Sequence, residues 1–232
     1  MALILVCAGA TLWLDYRSQK REYSYLHEKM ARILELKEPI LDFYNGKIEK
    51  IEDFEADKVM RFKDAVSELR EITSDEKLCE LDVYKNWSER GESMRDNCKG
   101  LKAMAEKAWR AAEVSEKLGA LAQKLKEGKE IATSEYEKLR NSDNEFLRQF
   151  GDDFAEYRKK VDEFREKYAN GAVDKLKMQE DYGIVQNMGV ELAEKYKEDK
   201  EEFKFLKEMT SNAVLENFAN ARQLANWAQE RM

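Results

Sequence analysis

The chain has 232 residues, of which 38% are charged, and it carries a net charge of −7 with one Pro and ten Gly. Lys and Arg are interspersed with Asp and Glu, so no basic face is available to neutralise phosphates, and nucleic-acid binding is excluded as a main function. Apolar residues make up 43% of the chain and recur at helical spacing, which excludes a disordered acidic polymer. Scarce helix breakers and abundant Ala, Glu, Lys, Leu and Arg predict an all-α protein.

Residues 2–14 form an uncharged run, ALILVCAGATLWL, which is followed by Asp15 and several basic residues. A helix of this length covers ~20 Å of a hydrocarbon core that is ~30 Å thick. We interpret residues 1–16 as a short membrane anchor, and the alternative is a hydrophobic end that is buried inside the protein. The basic residues after the run place the remaining chain, 17–232, in the cytoplasm, although a start codon further upstream would reverse this orientation.

Two helices are predicted next, over residues 17–44 and 47–72. The first has a seam at spacings of four and three, formed by Leu26, Met30, Ile33, Lys37, Ile40 and Tyr44, in which only Lys37 is not apolar. Pro39 predicts a kink or a restart within it. The pair Asn45-Gly46 predicts its end.

The third helix decides whether two cysteines can meet. Thr73 and Glu76 have the spacing of a capping box, so we predict a helix that starts there and runs unbroken over residues 74–127, through Gly91. In such a helix Cys79 and Cys98 are ~28 Å apart, too far for a disulfide. A hairpin near Gly91 is the alternative, and it would bring the two cysteines together.

The fourth helix is predicted over residues 134–169, after a second capping box at Ser134 and Glu137. It carries the clearest apolar seam of the chain, which we expect to form core or an interaction surface. The seam residues are Phe146, Phe150, Phe154, Tyr157, Val161, Phe164 and Tyr168. The acidic cluster of Asp152, Asp153 and Glu156 is interpreted as a solvated face of the same helix.

The last helix is predicted over residues 172–232, with Leu176, Met188, Leu192 and Tyr196 among the residues of its seam. Gly183 and Gly189 weaken it, because Gly is a poor helix former. The short connections favour antiparallel neighbours. The expected fold is therefore an elongated antiparallel helical bundle or coiled-coil hairpin behind a short N-terminal hydrophobic helix.

No residue pattern indicates catalysis or a cofactor. His27 is the only histidine, so neither a zinc site nor a di-iron bundle has enough ligands, and no Gly-rich phosphate loop is present. We therefore predict a non-catalytic, membrane-tethered structural or protein-interaction rod, such as a scaffold, stalk or accessory subunit. It would bind protein partners, including copies of itself, through coiled-coil surfaces and the membrane through residues 2–14. The alternatives are an extracytoplasmic helical sensor or ligand-binding bundle and a membrane-active protein of the α-helical pore-forming type.

Overall fold

The computed structural model describes residues 2–46, 54–85, 88–127, 129–169, 174–196 and 209–232, without the side chains of residues 2–12, 88, 89 and 125. Its α-helices are α1 (Ala2–Glu35), α2 (Lys37–Asn45), α3 (Ala56–Ser74), α4 (Ser88–Lys126), α5 (Thr133–Glu137), α6 (Glu145–Tyr168), α7 (Lys175–Lys195) and α8 (Ser211–Gln229). Short 3₁₀-helices span Asp82–Tyr84 and Lys138–Asn141. These parts of the chain contain no strand, so the all-α fold class is confirmed.

The chain folds into two compact units. The first comprises Met1–Asn45, Arg61–Trp109 and Met209–Met232. The second comprises Gly46–Met60 and Arg110–Glu208. Each unit is therefore assembled from segments that are distant in sequence.

In the first unit, α1 packs antiparallel to α8. The Tyr23 ring meets the Trp227 ring edge-on, with 5.3 Å between centroids, and His27 Nδ1 donates to the Ala225 carbonyl oxygen at 3.1 Å. The seam predicted for this region is buried between the helices at Leu26, Met30, Ile33 and Ile40. His27, the single histidine, therefore links α1 to α8 by a hydrogen bond.

The predicted membrane anchor is wrong. Among the residues whose structure is described, no helix is both long and apolar enough to cross a membrane. The uncharged run is too short, and α1 continues without a break past residue 16 into a stretch with Arg17, Lys20 and Arg21. A membrane-associated location and the orientation deduced from it are therefore withdrawn. Within the run, the side chains of residues 2–12, including Cys7, lie outside the described part.

The break predicted near Pro39 falls three residues earlier. α1 ends at Glu35, and α2 begins at Lys37. Pro39 thus occupies the first turn of α2, where its missing N–H costs no helical hydrogen bond. The next helix, predicted over residues 47–72, begins only at Ala56 in the described chain, and residues 47–53 lie outside that part.

The unbroken helix over residues 74–127 is also wrong. The Thr73 hydroxyl donates to the Leu69 carbonyl oxygen at 2.9 Å, so it bonds within the last turns of α3 and does not cap a new helix. α3 ends at Ser74, and α4 begins only at Ser88. Turns and a 3₁₀-helix occupy the described residues between them.

This arrangement joins the two cysteines. Cys79 and Cys98 form a disulfide, with their Cα atoms 5.7 Å apart. The segment before α4 therefore folds back onto its first turns, as in the hairpin alternative. Gly91 allows this approach, because a Cβ at that position would lie 2.5 Å from the Tyr84 carbonyl oxygen.

The helix predicted over residues 134–169 is divided in two. α5 and the 3₁₀-helix Lys138–Asn141 precede a break, after which Asn144 caps α6 by accepting the Leu147 N–H at 3.2 Å. The folded-back segment lies close to α6 at Gly151. A Cβ there would lie 2.7 Å from the Tyr136 carbonyl oxygen, so a larger residue does not fit.

In the described residues, the helix predicted over residues 172–232 is likewise divided into α7 and α8, and residues 197–208 between them lie outside the described part. Thr210 caps α8, since its hydroxyl oxygen accepts the Ala213 N–H at 3.2 Å. The sequence pattern did not predict this cap. The seam assumed to be continuous therefore belongs to one helix in each unit.

Candidate functional site

The second unit contains a hairpin of α6 and α7 whose base is an aromatic cluster. The Phe150 ring stacks on Phe154, with 4.3 Å between centroids, and meets Tyr196 edge-on at 4.9 Å. Tyr136 of α5 stacks on Phe154 at 5.5 Å. These contacts hold the start of α6 against the end of α7.

Asp153 links α6 to the end of α7 through polar contacts at this base. Its Oδ2 accepts hydrogen bonds from Lys195 Nζ at 2.6 Å and from the Tyr196 hydroxyl at 2.5 Å. Burial by itself would raise the pKa of Asp153, but the two bonds outweigh it and hold the pKa below its ordinary value. The predicted solvated face is therefore wrong at Asp153, which links the two helices.

Two further contacts align the hairpin along its length. Gly189 of α7 lies under the Tyr157 hydroxyl of α6, and a Cβ at position 189 would be 3.0 Å from that oxygen. Near the connection, Lys167 and Tyr168 both bond Asp181, the tyrosine at 2.5 Å. The bond from Lys167, together with that from Tyr168, lowers the pKa of Asp181.

The packing of α7 on α6 buries the predicted seam of α6 only in part. Of the seven predicted seam residues only Phe150 is buried, at 1% exposed. The others remain half-buried on α6: Phe146, Phe154, Tyr157, Val161, Phe164 and Tyr168. Towards the connection, two helices alone cannot enclose the aromatic side chains, so apolar surface stays accessible.

The opposite side of α7 is more exposed still. Leu176 is 74% exposed, Ile184 64% and Val190 57%. Gly183 lies on the same arc, and a Cβ there would meet nothing within 4 Å. We call these four residues the α7 outer face. Leu192, on the inward side of the helix, is only 8% exposed.

A groove adjoins this face on the flank of the hairpin. It has a volume of about 350 Å³. Most of the side chains that line it are apolar or aromatic: Phe154, Tyr157, Tyr182, Val185, Gln186, Gly189, Val190, Leu192 and Ala193. Val190 belongs to both the groove and the α7 outer face, so the two surfaces adjoin at this residue.

A larger cleft of about 770 Å³ lies at the base of the hairpin. Its lining is mainly polar and charged: Arg110, Glu113, Asp143, Asn144, Glu145, Phe146, Gln149, Lys195 and Tyr196. Its volume is within the range of ~300–1,000 Å³ that is usual for small-molecule sites.

The α7 outer face was not predicted from the sequence, because Leu176 and Leu192 were expected on the same seam. On an α-helix these positions point in nearly opposite directions. The signal that could have separated them is the spacing of Leu176, Gly183 and Val190, which recur every seven residues and so form a row of their own.

No group of three or more His, Cys, Asp or Glu side chains that could hold a metal ion occurs in the described ranges. Compared with known protein families, with curated proteins and with solved structures, the chain shows no significant match. The function is therefore inferred from the geometry.

Proposed function

We propose that this chain is a non-catalytic protein-interaction scaffold that binds other proteins through the α7 outer face and the adjoining groove. The observation that carries the proposal is the exposure of Leu176, Ile184 and Val190, each more than half accessible on one side of a single helix.

An apolar side chain of this size that stays exposed does not contribute the free energy that its burial would add to the stability of the fold. Burying a Leu, Ile or Val side chain contributes about 1.5–3 kcal/mol, and the chain's own fold leaves three of them in water. Scattered apolar residues on a surface need no explanation, but an apolar groove that an exposed apolar side chain extends indicates a binding surface. Here Val190 extends the groove, and Glu180 and Asn187 lie between Ile184 and the other two apolar side chains of the α7 outer face.

The arrangement suits a helical partner. Amphipathic helices dock into apolar grooves through side chains that repeat every three, four or seven residues. The groove beside Val190 offers space for such side chains, and Tyr182 at its edge is 55% exposed. Aromatic residues of this kind often dominate the energy of an interface.

Site-specific photo-crosslinking tests the proposal. A photoreactive amino acid replaces Ile184 on the α7 outer face or, as a control, the exposed Lys159 of α6 in the full chain, expressed in the cells that make it naturally. We expect discrete protein adducts at position 184 and none at position 159. Equal labelling at both positions, or no adduct at position 184, would contradict the proposal.

Ligand binding is a second candidate function, favoured by the cleft at the base of the hairpin. Arg110 and Lys195 give it positive charge, Glu113, Asp143 and Glu145 give it negative charge, and Asn144 and Gln149 supply amide groups. A small zwitterionic molecule fits this chemistry best. If it binds there, replacing Arg110 by Gln abolishes the rise in melting temperature that such a molecule causes, whereas replacing Lys159 by Gln leaves that rise unchanged.

The disulfide supports a location for this activity. Disulfides form and persist in oxidising compartments and are rare where thiols are kept reduced. We therefore propose that the chain works in an oxidising compartment. Alkylation of the natural protein without reductant should then modify neither Cys79 nor Cys98, and modification of both would contradict the location.

A further inference from the structure

We propose that the partner on the α7 outer face is a second copy of this chain, bound antiparallel about a two-fold axis at Gly183. This inference rests on the proposed function, because it names the protein that the surface binds. It is carried by the symmetry of the exposed residues around Gly183.

The apolar residues of the face are self-complementary. Leu176 and Val190 each lie seven residues from Gly183, on opposite sides. When two copies of α7 pair antiparallel with Gly183 at the centre, Leu176 of one copy meets Val190 of the other, and the contact occurs twice. An interface of this kind is isologous, as a two-fold axis requires.

Gly183 allows the two helices to approach closely at the axis. It has no side chain, and its open side has nothing within 4 Å. A glycine in the middle of a helix is less favourable than Ala by up to about 1 kcal/mol. Nothing described around Gly183 in the chain itself requires this cost, whereas a second helix backbone at the same place does.

The charges at the two ends of the face complement each other. Lys175 and Lys177 are exposed in the first turn of α7, and Glu191 and Glu194 are exposed near its end. This order is unfavourable within one helix, whose dipole favours acidic residues at the N-terminus and basic residues at the C-terminus. Antiparallel pairing brings the basic end of each helix beside the acidic end of the other, and it places Lys177 two residues, or ~3 Å along the axis, from the level of the second copy's Glu191.

A single helix pair lies at the small end of the range of interface areas, so we expect association in the micromolar range or weaker. Sedimentation equilibrium of the full chain, from micromolar to about 1 mM, covers this range. Charge reversal then tests the symmetry. K177E places like charges together at both ends of the pair, and E191K does the same with the opposite sign.

Each single variant should weaken self-association about tenfold, because two attractive surface pairs become repulsive. An equimolar mixture of K177E and E191K should restore it, since every pair in the mixed dimer again has opposite charges. The matched controls are K159E and E166K on α6, which change the charge equally at exposed positions away from the face. These controls should associate like the unmodified chain.

Three results would overturn the inference: a monomer at every concentration, single variants that associate as tightly as the unmodified chain, or a mixture that stays dissociated. Photo-crosslinking at Ile184 distinguishes failure of the second-copy inference from failure of the proposed function. Adducts there with other proteins alone would refute the second copy and leave the scaffold standing, and the absence of any adduct would refute both.

Discussion

Asp153 shows how one side chain fixes the base of the hairpin. It is adjacent in sequence to Asp152, yet the two carboxylates have different roles. Asp152 pairs with Arg140 on the surface, where the Asp152 side chain is 56% exposed, whereas the Asp153 side chain is 20% exposed and links α6 to the end of α7. The sequence could not separate them, because only the position of Lys195 and Tyr196 in space distinguishes their surroundings.

Replacing Asp153 by Asn should lower the free energy of unfolding by about 1–2 kcal/mol at pH 7, because hydrogen bonds to a charged group are lost. The pKa of Asp153 is lowered in the folded chain, so its contribution is fully present above the ordinary Asp pKa of about 3.9 and is lost as the pH falls through the lowered value. Urea unfolding between pH 7 and pH 3 measures this. The difference between the two proteins should shrink below about pH 4, and a difference that grows there would contradict the assignment.

The same comparison with Asp152→Asn serves as the control. Its pair with Arg140 is exposed to solvent on both sides, so the expected loss is below about 1 kcal/mol.

Two glycines inside helices make opposite predictions for the same substitution. Gly151→Ala should lower the free energy of unfolding by about 1–3 kcal/mol, because the new Cβ would collide with the Tyr136 carbonyl oxygen and with Leu139. Gly183→Ala should raise it by about 0.5–1 kcal/mol, because the Cβ enters open space and Ala favours the helix. Chemical denaturation at low micromolar concentration measures both. The same sign for both variants would contradict the packing described for one of them.

The disulfide gives a third prediction at the residue scale. The bridge spans a separation of 19 residues, which corresponds to a stabilisation of about 3 kcal/mol through the loss of entropy in the unfolded chain. Adding a reductant should lower the free energy of unfolding by that amount. A double variant, Cys79→Ala with Cys98→Ala, should not respond to reductant, and a full response in this variant would place the effect at another thiol.

At the scale of the helices, periodicity identified the residues that lie on one face but not the places where the chain turns. The α1 seam is buried as its spacing predicted, and α4 also buries a row of apolar residues that includes Leu101, Ala105 and Ala108. The breaks were misplaced because they depend on contacts that the spacing of apolar residues does not report. Thr73 bonds backward into α3, and Gly91 lies against the Tyr84 carbonyl, and neither contact is visible in the order of residues.

The residues of the α6 seam should contribute less to the free energy of unfolding the nearer they lie to the connection with α7. Phe150→Ala should cost about 3–5 kcal/mol of unfolding free energy, because the ring is fully enclosed. Phe164→Ala should cost clearly less, about 1–2 kcal/mol, because the half-buried ring leaves a smaller cavity. Denaturant titration of the two variants decides the matter, and equal costs would show that the seam is covered along its whole length.

At the scale of the whole molecule, composition and periodicity were sufficient for the all-α class, and no described residue departs from it. The membrane anchor failed because a short apolar run is ambiguous in sequence, and α1 carries it directly into a charged stretch. The candidate surface was missed for a related reason. Leu176 and Leu192 are both apolar, and the expected seam includes both, although their spacing places them on nearly opposite sides of the helix.

If the α7 outer face is available to another protein, its side chains do not stabilise the chain's own fold. The most direct measurement is the free energy of unfolding, at low micromolar concentration, of two matched variants on the two sides of α7. Ile184→Gln on the outer face should change it by less than about 0.5 kcal/mol, and Leu192→Gln on the inner side should lower it by more than about 2 kcal/mol. A loss above about 1.5 kcal/mol for Ile184→Gln would show that the chain itself buries this face, and it would contradict the account.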